Sequence, residues 1–433
     1  MRELIHSGQL AGHKAVVVGA GASGRAAARL LLALGATVRL LDSAEPGEAV
    51  KAFVEETGVA FESGAHTREQ FAGADMVVLS PGIARASLGE VLADVPEQKI
   101  MAEIELASWF LSEPVIAVTG TNGKTTTVSL VARMLEEAGK KVFLGGNIGT
   151  PPSTYLLEGV NGEKADVVVL EVSSFQLQNC RSFRPRVAVL LNFSPNHLDW
   201  HADMEEYLQA KLRIFARQDA GDLAVVPLEM KDELEGREFT RAARVYFVPT
   251  ERFSAVSRLI GPHNKANMEA AWLAVRPFGV TEEQARAAVA AFSPKPHRLE
   301  AVAEVNGRLF VNDSKATTFE AVAAALRSFD RPVRLLAGGK YKGGDPALLV
   351  PLLREHAASV ALFGASREIF EPAWKGVVPL TWHATLEEAV RKAFADSAEG
   401  DVILLSPGTS SFDLYTDYTA RGRDFARVAK ELA

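Results

Sequence analysis

The chain has 433 residues, 48% of them hydrophobic and 23% charged, with a formal net charge of −7. That length holds two to four domains at roughly 100–200 residues each, with three the expected number, and the composition excludes a disordered or fibrous chain. The acidic balance excludes a broad nucleic-acid footprint, and no apolar run reaches the roughly 20 residues of a membrane-spanning helix.

The single cysteine, Cys180, cannot form an internal disulfide, and nothing near the start reads as a secretory segment, so a reducing cytoplasm is the expected compartment. An apolar run from Ala15 to Val18 leads into Gly19-Ala-Gly-Ala-Ser-Gly24, a helix rich in Ala and Leu to Leu34, and a second run from Thr37 to Leu41 that ends at Asp42. This is a β-α-β pattern. A third run, Met76 to Leu79, stops at Ser80-Pro81-Gly82, residues suited to a turn. Strands buried on both faces read as continuous runs of this kind, which predicts a parallel sheet.

A second unit follows a helical, acid-bearing stretch from Met101 to Leu111. It has a strand from Val115 to Thr119, the loop Gly120-Thr121-Asn122-Gly123-Lys124-Thr125-Thr126, and an amphipathic helix to about Gly139. Apolar runs recur at 167–170, 187–191 and 223–226, and a helix is expected over 264–275. The Pro-punctuated segment from Phe292 to Arg298 reads as an interdomain connection with a hinge near Pro294 to Pro296. Beyond it, runs at 309–311, 333–336, 360–363 and 402–405 alternate with helical stretches, giving a third α/β unit.

Gly120 to Thr126 joins a buried strand to a helix, where unpaired N–H groups and the positive helix end receive phosphate. Gly120 and Gly123 let the backbone approach an anion, Lys124 reaches the β- and γ-phosphates, and a hydroxyl of Thr125 or Thr126 suits Mg²⁺. The strict G-x-x-x-x-G-K-[ST] pattern fails, because the residue six before Lys124 is Val118. Two further segments follow strands in the same way. Glu171-Val-Ser-Ser-Phe-Gln-Leu177 puts a carboxylate at a sheet's C-terminal edge, and Asn192 to His201 offers His197, Asp199 and His201 within five positions. The run Gly19 to Gly24 with Asp42 also fits a dinucleotide fingerprint, so an NAD-dependent dehydrogenase is one alternative; a non-catalytic nucleotide-binding module is another.

The loop Thr119-Gly-Thr-Asn-Gly-Lys-Thr-Thr126 and the segments at Glu171 and His197 together resemble the Mur ligase superfamily. Ser80-Pro-Gly-Ile83, Asn312-Asp-Ser-Lys-Ala-Thr317 and Leu405-Ser-Pro through Ser411-Phe-Asp413 bring the resemblance closest to its glutamate-adding members. It covers nearly the whole chain. It implies an α/β fold of three domains: a UDP-binding Rossmann-like domain over 1–97, a central P-loop-like ATP-binding domain over 98–297 and a Rossmann-like amino-acid-binding domain over 298–433. The implied activity is an ATP-dependent ligase that adds D-glutamate to UDP-N-acetylmuramoyl-L-alanine through an acyl phosphate. Its setting is peptidoglycan precursor synthesis, and with it cell shape and division. Ligases adding alanine, diaminopimelate or lysine, or a dipeptide, and folylpolyglutamate synthases, are the nearest alternatives.

By the same resemblance, Gly120 to Thr126, Asn264, Asn267, Arg298, Asp313 and Lys315 hold ATP. Thr125 and Glu171 hold one Mg²⁺, and His197 serves a second together with Lys211, if Lys211 carries a carbamate as N6-carboxylysine. Ala22, Ser23, Asp42, Ser43, Ser80, Gly82, Asn147, Ser173 and Gln176 contact the UDP-sugar, while Thr317, Lys342, Ser411 and Tyr418 contact D-glutamate. The family expectation is a monomer whose third domain closes over the other two. The chain departs from the family pattern at Ala44, Asn196 and Tyr418, where Arg, Asp and Phe are usual.

Overall fold

The computed structural model describes residues 8–197, 200–293 and 296–433. The expected hinge residue Pro294 and the candidate ligand Asp199 lie outside the described residues. Three sheets carry the fold. The first contains β1 (Lys14–Val18), β2 (Thr37–Asp42), β3 (Ala60–Ser63), β4 (Met76–Leu79) and β5 (Ile100–Ala102), in the order β3-β2-β1-β4-β5, all parallel.

The second sheet contains β6 (Val115–Thr119), β7 (Val142–Gly146), β8 (Val167–Glu171), β9 (Val187–Leu190), β10 (Leu223–Pro227) and β11 (Ala243–Phe247). Its order is β11-β10-β9-β6-β8-β7, again all parallel. The third contains β12 (Glu300–Val305), β13 (Arg308–Asn312), β14 (Val333–Gly338), β15 (Ala357–Phe363), β16 (Leu380–His383) and β17 (Val402–Leu405), ordered β12-β13-β17-β14-β15-β16. Here β12 runs antiparallel to β13, so this sheet is mixed. The stretch read as helical from Met101 begins instead with β5, and its helix spans only Glu103–Ser108.

The continuous apolar runs have a direct cause. Alternate residues of β1 feed opposite faces: Ala15 and Val17 enter one core, Val16 and Val18 the other. In β17, Val402 and Leu404 face one core, and Ile403 and Leu405 face the second. A strand covered by helices on both sides has no polar face to show.

The chain divides into two compact units, Met1–Val256 with Ala266–Ala291, and Ser257–Lys265 with Phe292–Ala433. The first unit contains both all-parallel sheets, tied by the helix Glu103–Ser108. Its Glu105, 3% exposed, accepts hydrogen bonds from Ser182 N (2.7 Å), Ser182 Oγ (2.5 Å) and Phe183 N (2.9 Å). Glu103, 2% exposed, accepts one from Ser153 N at 2.7 Å.

Burial pushes the Glu103 carboxyl from about 4.5 up to about 7, against the pull of the Ser153 hydrogen bond. The folded chain therefore binds this proton more tightly than the unfolded chain does. The resulting stabilisation is complete below the unfolded value and is lost as pH rises through about 7. Glu103→Gln keeps an acceptor for Ser153 and removes the titration. Denaturant midpoints measured between pH 4.5 and 7 should fall more steeply in wild type than in the variant, by at most ~3 kcal/mol across the window.

Candidate active site

Three adjacent strands of the second sheet deliver the candidate chemistry at their C-terminal ends. β6 is flanked by β8 and β9, so the loop after Thr119, the terminal residue Glu171 and the residues after Leu190 share one edge. This is the position where strand order departs to both sides and open α/β sheets leave a crevice for ligands.

The loop itself is built for a close backbone approach. Gly123 caps the helix Lys124–Glu137 at φ 82°, and a side-chain carbon placed on it would lie 2.5 Å from Asn267 Oδ1. Asn192, just past β9, holds the loop from the other side: its Oδ1 accepts from Asn122 N at 2.9 Å and its Nδ2 donates to Asn122 O at 3.1 Å. Thr121 N donates to Asn192 O, and Thr121 Oγ1 donates to Ser194 O at 3.3 Å.

The Lys124 ammonium curls back onto its own loop, donating to Gly120 O at 2.7 Å and Thr121 O at 2.9 Å. Desolvation lowers its pKa, and the Glu171 charge opposes that shift. Glu171, 2% exposed, accepts from Thr125 Oγ1 at 2.7 Å and from Asn147 Nδ2 at 2.9 Å. Thr126 sits half-buried in the first turn of the same helix. The carboxylate and hydroxyl are hard oxygen donors in contact, a pair that fits Mg²⁺, which keeps most of its shell as water and phosphate oxygens. No group of three or more His, Cys, Asp or Glu is gathered for a metal among the described residues.

His197, with φ 57°, and Lys211 meet the same aromatic cluster. The His197 ring is edge-on to Phe175 at 4.8 Å and to Tyr207 at 6.0 Å, while Lys211 Nζ stands 4.3 Å over the Tyr207 ring. Lys211 is 2% exposed, and burial lowers its pKa to about 6, helped by the positive charge of Lys124. Its amine is neutral at pH 7. Asn196, at the position where an Asp was expected, accepts from His197 N at 2.9 Å. His201 is buried, with Nε2 3.0 Å from Ser174 Oγ.

A cavity of about 440 Å³ lies at the C-terminal edge of the first sheet. Its lining includes Ala22, Ser23, Asp42, Ser80 and Gly82, joined by Asn147 from the second sheet's loop. Asp42 accepts from Ala20 N at 2.7 Å and from Ala44 N at 2.9 Å, so its carboxylate braces the glycine loop. Ser43 is exposed and is not among the lining residues. Ser173 and Gln176 form the reciprocal capping box of the helix Ser174–Gln178, with Ser173 N donating to Gln176 Oε1 at 3.0 Å.

In the second unit, Asp313 is the first residue after β13. Burial pushes its carboxyl up to about 7, although Ser406 Oγ (3.0 Å), Leu299 N (3.2 Å) and the Arg298 charge favour the ionised form. Lys315 Nζ lies 5.3 Å over the Tyr418 ring, and Lys342 Nζ lies 5.5 Å over Phe412. Ser411 is buried and Thr317 half-buried. Asn264 donates to Ile260 O at 2.7 Å. Asn192, Tyr207 and Phe175 were absent from the residues expected at the site. Only their positions directly after a strand, four residues before Lys211 and inside the Glu171 segment hinted at them.

The Mur ligase middle domain profile matches residues 118–246, the Mur ligase MurD-like N-terminal domain 13–99, and the Mur ligase glutamate ligase domain 297–408. A protein of Nitratidesulfovibrio vulgaris (strain DP4) named UDP-N-acetylmuramoylalanine--D-glutamate ligase is 57% identical over 98% of this chain and 97% of its own. The chain belongs to the Mur ligase family. A second relative with that name, from Oleidesulfovibrio alaskensis, is 56% identical over 96% of this chain and 93% of its own. Among solved structures, the MurF ligase of Thermotoga maritima in complex with ADP shares the fold at 18% identity. Its TM-score is 0.56, over 91% of this chain and 95% of that one. No described helix is long and apolar enough to cross a membrane.

The reciprocal pair between Asn192 and Asn122 yields a direct expectation. Asn192→Ala removes two hydrogen bonds at a part-exposed position, a loss of about 1–2 kcal/mol in local stability. Hydrogen exchange at the Asn122 amide should accelerate about 5- to 30-fold while the core of β6 is unchanged.

Proposed function

We propose that this chain joins D-glutamate to UDP-N-acetylmuramoyl-L-alanine at the expense of ATP, in cytoplasmic peptidoglycan precursor synthesis, working as a monomer. The observation that carries the reading is the Glu171 carboxylate, which touches the phosphate-loop hydroxyl of Thr125 with one oxygen and Asn147 with the other. A nucleotide tail and the acyl end of the sugar substrate are thereby directed to one carboxylate.

In this reading Gly120 to Thr126 hold the ATP phosphates. Lys124 exchanges the carbonyls of Gly120 and Thr121 for phosphate oxygens as charge develops on the transferred group. Mg²⁺ at Thr125 and Glu171, and a second ion near His197 and Lys211, supply charge neutralisation on the phosphates when bound. The alanyl carboxylate takes the γ-phosphoryl group, releasing ADP. The D-glutamate amine, having shed a proton, then attacks the acyl carbon and expels phosphate. His197 orients the acyl end.

Ala22, Ser23, Asp42, Ser43, Ser80 and Gly82 hold the UDP part. Asn147, Ser173 and Gln176 face the muramoyl-alanine arm; the last two do so from a capped, rigid turn. Asn264, Asn267, Arg298, Asp313 and Lys315 clamp the nucleotide, and Thr317, Lys342, Ser411 and Tyr418 take the amino acid. Tyr418, where Phe is usual, adds a hydroxyl to that site. The domain limits at residues 97 and 297 belong to the same reading. A carbamate on Lys211 fits the neutral amine that burial enforces, because only the unprotonated form adds CO₂.

The deciding assay offers ATP and UDP-N-acetylmuramoyl-L-alanine with each candidate amino acid and records phosphate release. D-Glutamate alone should support turnover, and release with diaminopimelate or L-alanine instead would overturn the assignment. Lys124→Ala should lower kcat by about 10²- to 10³-fold. For the carbamate, wild-type protein in ¹³C-bicarbonate should give a carbamate carbon resonance that is missing from Lys211→Arg. An identical spectrum from both proteins would show that Lys211 is unmodified.

A further inference from the structure

Arg421 lies on the helix Tyr418–Glu431, is wholly buried, and has no assigned role in the reaction. Its Nε donates to Ser314 Oγ at 3.0 Å, and its Nη2 donates to Ser314 O at 2.8 Å and Thr409 O at 3.1 Å. The Ser314 hydroxyl passes the connection on, donating to Tyr418 O at 2.8 Å. The third nitrogen, Nη1, is buried with no hydrogen-bond partner. It sits under Gly339, where an added side-chain carbon would come within 3.0 Å of it.

These contacts fall on four short segments. Ser314 is three residues before Thr317, Gly339 three before Lys342, Thr409 two before Ser411, and Tyr418 three before Arg421 itself. Each of the four residues placed at the amino-acid site thus hangs from a segment that Arg421 bonds, links or packs against. The Gly339 and Thr409 segments are also joined to each other by paired Lys340 and Ser410 backbones.

We infer that Arg421 is the positioning residue of the amino-acid site, fixing the mutual placement of Thr317, Lys342, Ser411 and Tyr418 without touching the substrate. This deepens the functional reading above and rests on it. A guanidinium is required because one planar fork must reach a hydroxyl and two carbonyls at once, which a lysine ammonium on its flexible stem does not reproduce. Burial lowers the pKa of the guanidinium, and the charges of Asp413 and Tyr415 oppose that shift.

The test uses the full chain carrying Arg421→Lys or Arg421→Met, with melting curves to certify folding. The KM for D-glutamate should rise about 10- to 100-fold, while those for ATP and the UDP-sugar stay within about twofold. Ser314→Ala, a smaller lesion, should shift the same KM by less. Guanidinium ion should restore D-glutamate affinity to Arg421→Ala where sodium at equal concentration does not. An unchanged D-glutamate KM in folded Arg421→Lys, or an equal rise in all three constants, overturns the inference. A wild type that uses another amino acid overturns the substrate reading alone, and the KM for that acid then decides the role of Arg421. Unaltered hydrogen exchange in the three loops of Arg421→Lys refutes the positioning role whatever the substrate.

Discussion

The carboxylate of Glu171 is where the separate parts of this molecule meet. One oxygen accepts from Thr125, on the helix that follows the glycine turn of the phosphate loop, and the other accepts from Asn147, on the loop after β7. Its own backbone carbonyl accepts from Asn147 N at 2.8 Å, so the loop after β7 is fixed to β8 by side chain and main chain together, and Thr125 by the side chain. A buried carboxylate needs such partners, since removing them would leave an uncompensated charge in a poorly solvated place.

That arrangement repeats a rule visible three times in the chain. In the first sheet β1 is flanked by β2 and β4, and Gly19, Asp42 and Ser80 gather at their ends. In the second, β6 is flanked by β8 and β9, bringing together the phosphate loop, Glu171 and Asn192. In the third, β17 is flanked by β13 and β14, and the loops bearing Asp313, Gly339 and Thr409 converge on Arg421 or on Asp313 itself. Parallel strands all finish at one edge, so whichever strands sit on either side of a central one must deliver their loops to the same place.

The same geometry explains what could be read from the sequence. Every strand recognised as an apolar run is interior to its sheet or paired on both sides, whereas the six unrecognised strands, β3, β5, β7, β11, β12 and β16, are the six sheet edges. An edge strand needs less burial, as in Ala60–Ser63, where no residue is fully buried, and its residues carry no continuous hydrophobic signal. β5 is buried but only three residues long, too short for a pattern. The phosphate loop was legible because glycine, lysine and threonine have to be neighbours there. Asn192, Tyr207 and Arg421 were not, because their partners lie 70, 86 and 107 residues away in the chain. Ser173 and Gln176 were named only through the resemblance; the capping box they form is a local pattern of residues three apart.

Lys211 shows how two opposed effects are settled by magnitude. The Tyr207 ring beneath its nitrogen favours the ammonium by about 0.5–2 kcal/mol. The fall of its pKa from 10.5 to about 6 corresponds to roughly 6 kcal/mol in favour of the amine. Burial wins. The Lys124 charge contributes in the same direction by repelling a second cation. That repulsion reverses for the carbamate proposed at Lys211, since a negative group near Lys124 is attracted to it. One neighbouring charge therefore both assists burial in removing the proton of the lysine and favours the anion proposed to replace it.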